Sequence, residues 1–513
     1  MREPGFYPHA PDEVELRETA ISLVFLAGER AYKVKKPVRL PFLDYADPQR
    51  RRQLCFEEVR LNRRLAPDVY LGVRAIVRDG ELMLADGDRD DALEWAVEMR
   101  RLPEQCTMAA LLDAGRLGRD QVRAVGRRLA AFHADAEAPA EPPGPGAVKR
   151  PSDENFQALL DLELSPRERR RAVAAERFFD AFIAGHRDQI AARAARGCVR
   201  DGHGDLRLEH VLLVDDGVIA YDCVEFDADL RRIDVAGDLA FLVMELVSHH
   251  ADALAGELVD AYRGAGGDPG ENALLAFYAA YRAWVRAKLA FLADADATPL
   301  VDVAERLRWR ARLPLILVLC GVTASGKTTV AERLADASGL QVLSSDRVRK
   351  ELAGLDPAAR APAERYGAAA SRRTYEEIGA RAADCLRRDG GAIVDATFRH
   401  PDQRRAFAER LGRHAPVLYA ECRAPRRVLL DRARARTRDQ QRVSDATVEM
   451  VDRQLAEWRP LDDVPAAAHL ALRTDREAGE IADELEALLD RRVAAGHTGP
   501  DTGRSLSTAF SGA

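Results

Sequence analysis

The chain has no paired cysteines. Its seven, at positions 55, 106, 198, 223, 320, 385 and 422, are scattered, with no C-x-x-C among them. Neither a disulfide framework nor a zinc site is signalled, and a reduced, cytoplasmic setting is expected. An apolar run approaching the roughly 20 residues of a membrane span is also missing. Residues 1–11 lack the charged and apolar regions of a secretion signal. Charge of one sign is absent too: Lys+Arg 77 against Asp+Glu 84 gives a net charge of -7. That balance disfavours a nucleic-acid or membrane-surface partner. There is no internal repeat. Apolar residues are plentiful at 47% of 513 residues, enough for large cores in about three structural units. Alanine and arginine are common throughout, so a single arginine carries little information.

Residues 1–100 read as strands with one helix: strands at 19–25 and 30–35, a helix over 51–66, then strands at 72–77, 81–85 and 94–100. Residues 104–310 are mostly helical, broken by a Pro-rich loop at 138–148 and short strands at 211–214 and 218–222. From Pro314 the pattern changes. Apolar runs at 315–320, 340–343, 392–394, 417–420 and 469–472 alternate with helical segments. Such alternation implies a parallel sheet covered on both faces. A boundary is expected near 310–313, and a disordered tail over 493–513, where Gly, Ser and Thr accumulate.

The sharpest motif is Gly321-Val322-Thr323-Ala324-Ser325-Gly326-Lys327-Thr328, which fits G-x-x-x-x-G-K-[ST] at every fixed position. An apolar run precedes it and a helical pattern beginning at Thr329 follows, the strand–loop–helix context of a phosphate-binding P-loop. Backbone amides of Gly321, Thr323, Ser325 and Gly326, with Lys327, Thr328 and Thr329 at the helix start, would cradle ATP phosphates. Lys327 would neutralise the β- and γ-phosphates and Thr328 would ligate Mg²⁺. Asp346, in Ser344-Ser345-Asp346 after the second strand, is the candidate base or substrate-orienting carboxylate, though Asp before a helix is also a common cap. Asp395 ends the apolar strand Gly391-Ala392-Ile393-Val394-Asp395 and is placed to hold Mg²⁺ through water. Between 426 and 442 lie seven arginines: Arg426, Arg427, Arg432, Arg434, Arg436, Arg438 and Arg442. Of these Arg432 and Arg436, one helical turn apart, are the candidates for stabilising the transferring phosphoryl group. A solvated helix face is the alternative reading. Residues 314–490 resemble the gluconate-kinase-like and zeta-toxin-like small P-loop kinases, which share an AAA-type ATPase core. That resemblance implies a small-molecule or nucleotide kinase and leaves the acceptor open.

A second signature is His203-Gly204-Asp205-Leu206-Arg207-Leu208-Glu209-His210 before a strand, with Asp222 ending the next strand and Asp238-Leu239-Ala240 downstream. This order resembles the H-G-D-x-x-x-x-N loop of the aminoglycoside phosphotransferase (protein-kinase-like) family, over roughly residues 20–300. The resemblance implies that Asp205 accepts the acceptor hydroxyl's proton, that Asp222 binds Mg²⁺, and that Asp238 buttresses the loop. His210 stands where the family has Asn as a metal ligand, and Mg²⁺ prefers oxygen. The family's phosphate-binding lysine corresponds to Lys33, with Lys35 on the same strand face as the alternative. Glu58 is its expected partner. Glu98-Met99-Arg100 resembles the hinge whose backbone holds adenine. No Gly-rich loop separates the first strands; Ala27-Gly28-Glu29 is short and close to Lys33. Tyr278, Tyr281, Arg282, Arg286 and Lys288 share one predicted helix, read either as an acceptor-pocket wall or as an ordinary packed amphipathic helix.

Together these features imply mixed α/β and α+β architecture: a two-lobed protein-kinase-like domain over 1–312 (N-lobe about 1–100, C-lobe about 101–312), then a P-loop domain with a parallel sheet over 313–492. The pairing resembles bacterial two-domain proteins of this composition. The expectation is an ATP- and Mg²⁺-dependent kinase with two nucleotide sites. One alternative makes the N-terminal half a nucleotide-sensing regulator without turnover. Another, a polynucleotide 5′-hydroxyl kinase, is disfavoured by the acidic balance.

Overall fold

The computed structural model of the chain describes residues 1–40, 43–215, 217–356, 367–412, 414–437 and 448–496. They fall into two compact units. The first comprises Met1–Pro143, Arg193–Leu246 and Glu257–Pro269; the second Gly144–Ala192, Val247–Gly256 and the described part of Gly270–Ala513.

The first unit opens with β1 (Val14–Glu18), β2 (Ser22–Ala27) and β3 (Arg30–Lys35). The strand expected at 19–25 starts later, because Thr19 forms a turn: its Oγ1 accepts from the Ser22 N–H at 3.0 Å. The short pair β4 (Arg39–Leu40) and β5 (Leu43–Asp44) leads into α1 (Pro48–Asn62). Asp47 caps that helix, accepting from the Gln49 N–H at 3.0 Å, with Pro48 in the first turn. Then β6 (Tyr70–Asp79), β7 (Glu81–Asp86) and β8 (Glu94–Arg100) complete a six-stranded antiparallel sheet, ordered β1-β2-β3-β8-β6-β7. Helices α2 (Met108–Asp113) and α3 (Arg119–Asp135) follow. The chain passes into the second unit for α4 (Gly146–Leu160) and α5 (Pro166–Gly185), and returns within α6 (Arg187–Ala195). It then forms β9 (Val199–Asp201), the hairpin β10 (Val211–Val214)–β11 (Gly217–Ala220), and β12 (Arg232–Asp234), which pairs with β9. A strand-rich lobe, then helices and a short hairpin, is the element order that the protein-kinase-like resemblance implies.

Helices α7 (Val235–Ser248) and α8 (Asp252–Gly264) carry the chain between the units, and α9 (Asn272–Leu292) and α10 (Thr298–Arg310) belong to the second. The rest alternates: β13 (Leu315–Cys320), α11 (Lys327–Ser338), β14 (Val342–Ser344), α12 (Ser345–Leu352), α13 (Ala368–Asp389), β15 (Gly391–Asp395), α14 (Pro401–Leu411), β16 (Val417–Arg423), α15 (Arg426–Thr437), α16 (Val448–Glu457), β17 (His469–Arg473) and α17 (Ala478–Ala494). The five strands are parallel, ordered β14-β15-β13-β16-β17. This is a P-loop NTPase sheet with β13 at its centre. Alternation along β13 builds both faces. Ile316, Val318 and Cys320 enter one core with Tyr375, Phe398 and Phe407; Leu317 and Leu319 enter the other with Val330, Leu334, Ile481 and Leu485.

Trp309 of α10 is buried in that second core. Arg312 donates to Asp490 Oδ1 at 2.5 Å, and both side chains are buried. The helix preceding the expected boundary is therefore packed on α17. The expected tail lies outside the described residues from 497 onward; residues 493 and 494 are the last of α17.

Candidate active sites

In the P-loop, Gly321 has φ 138° and Gly326 φ 92°. A Cβ on Gly321 would stand 2.6 Å from the Cys422 carbonyl oxygen, so only glycine lets the loop leave β13 there. Lys327 is buried and bends back to donate to the Val322 carbonyl at 2.9 Å. Thr328 Oγ1 donates to Asp395 Oδ2 at 2.7 Å, joining the two residues expected to hold Mg²⁺. Burial raises the Asp395 carboxyl above its ordinary range, although Lys327 and Thr328 oppose that. Ser325 Oγ and Arg432 Nη1 are buried and lack any hydrogen-bond partner. These orphaned donors at the start of α11 fit the phosphates of a nucleotide, but three amides expected to cradle them are spent: Gly321 on the Thr397 carbonyl at 3.2 Å, Thr323 on Gln454 Oε1 at 2.7 Å and Ser325 on the Val322 carbonyl at 3.2 Å. Thr328 and Asp395 offer the oxygen ligands that Mg²⁺ takes.

Arg432 also donates through Nη2 to the Thr474 carbonyl at 2.7 Å. It lines a cavity of about 410 Å³ with Gly326, Thr329, Thr474, Ala478 and Ile481. Arg436 lies in α15, and its side chain, with Arg438 and Arg442, falls outside the described residues. Asp346 sits in the first turn of α12 and accepts from Arg349 Nη1 at 2.9 Å. Arg349 is buried and fixes that carboxylate. Its role was not legible, because an arginine three residues along a helix looks like a surface pair.

The N-terminal site is a charge network. Lys33 Nζ lies 2.9 Å from Glu58 Oε1 and 2.6 Å from Asp222 Oδ1. Lys35 Nζ lies 2.6 Å from Glu58 Oε2 and also pairs with Glu225, which accepts from the Tyr45 hydroxyl at 2.6 Å. Both lysines thus share the fully buried Glu58. Burial works against their charge, but the carboxylates overcome it and raise both ammonium groups above the ordinary lysine range. Of the two lysines, Lys33 is the one bonded to Asp222. Asp222 adopts φ 64°, a strained conformation for a non-glycine residue, and its N–H donates to the Tyr70 hydroxyl at 3.2 Å. Burial disfavours its charge, yet Lys33 and then His210 hold it well below the ordinary carboxylate range.

The His203-Gly204-Asp205 loop hangs on Asp238. Its Oδ2 accepts from the His203 N–H at 2.7 Å and its Oδ1 from the Gly204 N–H at 2.9 Å. His210 Nδ1 contacts the Asp205 carbonyl at 2.8 Å. A carbonyl only accepts, so Nδ1 donates there, and Nε2 lies 3.8 Å from Asp222 Oδ2. Among the described residues no group of three or more His, Cys, Asp or Glu side chains is arranged to hold a metal by itself. A metal here would take its remaining ligands from the nucleotide.

One expectation changes, and one open choice falls to the packed-helix reading. Glu98 lies inside β8, a central strand, in register with Tyr32 and Gly72. Its backbone is spent on the two neighbouring strands, so it cannot be the free hinge segment that holds adenine. Its carboxylate instead accepts from Arg74 Nε at 2.6 Å and Arg30 Nη1 at 3.0 Å. The helix read as a possible acceptor wall, α9, is packed: Tyr278 is buried, and the Tyr281 hydroxyl donates to the Pro151 carbonyl at 3.2 Å.

The AAA domain family model matches residues 316–461. The protein Rv2004c of Mycobacterium tuberculosis, strain H37Rv, is 34% identical over 457 residues, covering 85% of this chain and 88% of the relative. Among solved structures, a choline/ethanolamine kinase family protein from Mesorhizobium loti is 16% identical, covering 60% of this chain and 92% of its own, with a TM-score of 0.37. A gluconokinase from Sinorhizobium meliloti 1021 is 20% identical over 36% of this chain and 95% of its own, with a TM-score of 0.26.

Proposed function

The chain belongs to the same family as Rv2004c of Mycobacterium tuberculosis, and from that premise we propose that it is an ATP-dependent phosphotransferase with two nucleotide sites. Residues 313–492 form a P-loop kinase acting on a small-molecule hydroxyl, and residues 1–312 form a second, kinase-like site. The observation that carries the reading is the meeting of Lys327, Thr328 and Asp395 at one loop, with Thr328 bonded to Asp395 at 2.7 Å.

Catalysis at the P-loop is mostly positioning and charge neutralisation. The amides at the start of α11, from Gly326 to Thr329, and Lys327 hold the phosphates. The cavity lined by Arg432, Thr474 and Ile481 takes the nucleoside end. Asp346, fixed by Arg349, orients the acceptor hydroxyl and takes its proton as the oxygen attacks phosphorus. Thr328 and Asp395 would hold Mg²⁺, which supplies Lewis-acid neutralisation of the phosphate charge. In the N-terminal site Lys33, held by Glu58, is the phosphate lysine, Asp205 the base, and Asp222 with His210 the metal side.

One observation favours a regulatory role for the N-terminal site. The β1–β2 turn, where a phosphate-covering loop is expected, contains no glycine, and the Ser22 N–H is spent on Thr19 Oγ1. Calorimetric titration of MgATP into wild type, Lys327→Ala and Lys33→Met chains tests the two-site reading. Two binding events are expected, each lost in one variant. A single event, lost in Lys327→Ala and untouched in Lys33→Met, would remove the N-terminal site.

A further inference from the structure

Helix α16 reaches into the P-loop. The Thr323 N–H donates to Gln454 Oε1 at 2.7 Å, and the Thr323 hydroxyl lies 3.9 Å from Met450 Sδ. Residues 450 and 454 are one helical turn apart, so two successive turns of α16 grip one loop residue. Apolar packing holds them there: Val451 is buried with Val322 and Ala324 of the loop and Leu429, Leu430 and Ala433 of α15. Gln454 itself is only 7% exposed.

The Thr323 N–H and the Val322 carbonyl belong to the same peptide unit. That carbonyl accepts from Lys327 Nζ at 2.9 Å. One peptide plane is therefore clamped from both edges, by the phosphate lysine on one side and by Gln454 on the other. The orientation of the carboxamide follows. Because Thr323 N is a donor, the oxygen of Gln454 faces it, and the –NH₂ is the other group. That Nε2 has no hydrogen bond to any described residue and is not among the fully buried, unsatisfied atoms. When Lys327 leaves the Val322 carbonyl to bind phosphate, Gln454 is the bond that keeps this peptide in place.

We propose that Gln454 is a positioning residue of the P-loop: it fixes the Val322–Thr323 peptide and turns its –NH₂ to the terminal phosphate, so the loop favours a nucleoside triphosphate over the diphosphate. This rests on the P-loop reading above. It also makes α16, the helix that follows the arginine-rich segment, responsive to what the loop holds.

The test is calorimetric titration of MgATP and of MgADP into the full chain, reading the binding event that Lys327→Ala removes. Gln454→Glu keeps an acceptor for the Thr323 N–H but replaces the donor with a negative oxygen. Gln454→Met keeps the volume and loses both. One hydrogen bond is worth about a 2- to 12-fold change in affinity. Gln454→Glu is expected to weaken ATP by about 10-fold or more and ADP by less than about 3-fold. Gln454→Met is expected to weaken both, ATP the more. Thermal stability is followed in parallel, since a purely structural role would lower stability and shift both nucleotides by the same factor. Equal factors for ATP and ADP in Gln454→Glu, with the Lys327-dependent event intact, would overturn the role of Gln454 alone. Absence of any Lys327-dependent event in the wild type would overturn the P-loop reading, and this inference with it.

Discussion

Glu58 balances the N-terminal site. One buried carboxylate faces two ammonium groups, and each lysine has a second carboxylate of its own: Asp222 for Lys33, Glu225 for Lys35. The two lysines should therefore behave differently when replaced. Lys33→Met is expected to lose N-terminal ATP binding by about 100-fold, since it removes the group that meets phosphate. Lys35→Met is expected to cost about 3–5 kcal/mol of stability, because Glu225 would remain buried without its ammonium partner and Glu58 would keep only Lys33. Paired ATP titration and denaturant unfolding of both variants separates the two effects. Asp238 supports a second prediction. Its two oxygens accept from two adjacent backbone N–H groups, and an asparagine there turns an N–H₂ toward one of them. Asp238→Asn should destabilise the first unit by about 2–3 kcal/mol, read as an earlier unfolding transition in urea. The sequence located Lys33, Glu58, Asp222 and Asp238 through motif order. It left the charge of Glu225 unexplained, since nothing local says that residue 225 meets a strand 190 positions away.

At the scale of elements, β13 was legible because six consecutive apolar residues before a glycine loop admit few other readings. β15 and β16 were legible from shorter apolar runs, 392–394 and 417–420, between helical patterns. The short pair β9–β12 was not, because three-residue strands such as Val199–Asp201 carry no period to detect. The start of β2 was misplaced for a different reason: the Thr19 turn is made by a side-chain hydroxyl, with no Gly or Pro to mark it. Helix α16 hid its function because Gln454, between Arg453 and Leu455, fits a solvated face as well as a contact. The end of α5 gives a prediction in pH. His186 stacks on Phe182 with ring centroids 3.8 Å apart, and its Nδ1 lies 2.9 Å from the Phe182 carbonyl. Burial pushes its imidazole below the ordinary histidine range; the Phe182 carbonyl and Glu271 oppose that only in part. The unfolded chain then binds more protons than the folded one just below pH ~6.5. This contribution to stability is complete above that pH and is lost as the pH falls. The drop in melting temperature between pH 7.5 and pH 5.5 should be smaller in His186→Gln than in wild type, measured by scanning fluorimetry; an unchanged drop would show that His186 does not titrate on unfolding.

For the whole molecule, the proposed division of labour rests on two loops of different construction. One is a glycine loop at a helix start, whose donors are backbone amides and one lysine. The other is a side-chain network around Asp205 and Asp222, supported by Asp238 and the shared Glu58. Their acceptors are chemically unspecified by anything common to both, so each is expected to have its own. The measurement that tests this most directly is MgATP turnover with a pooled small-metabolite extract, with phosphorylated products resolved by mass for wild type, Lys327→Ala and Asp205→Ala. Two classes of product are expected in the wild type, with Lys327→Ala losing one by about 100-fold or more and Asp205→Ala losing the other. Full retention of every product in Lys327→Ala would contradict the P-loop as a catalytic centre.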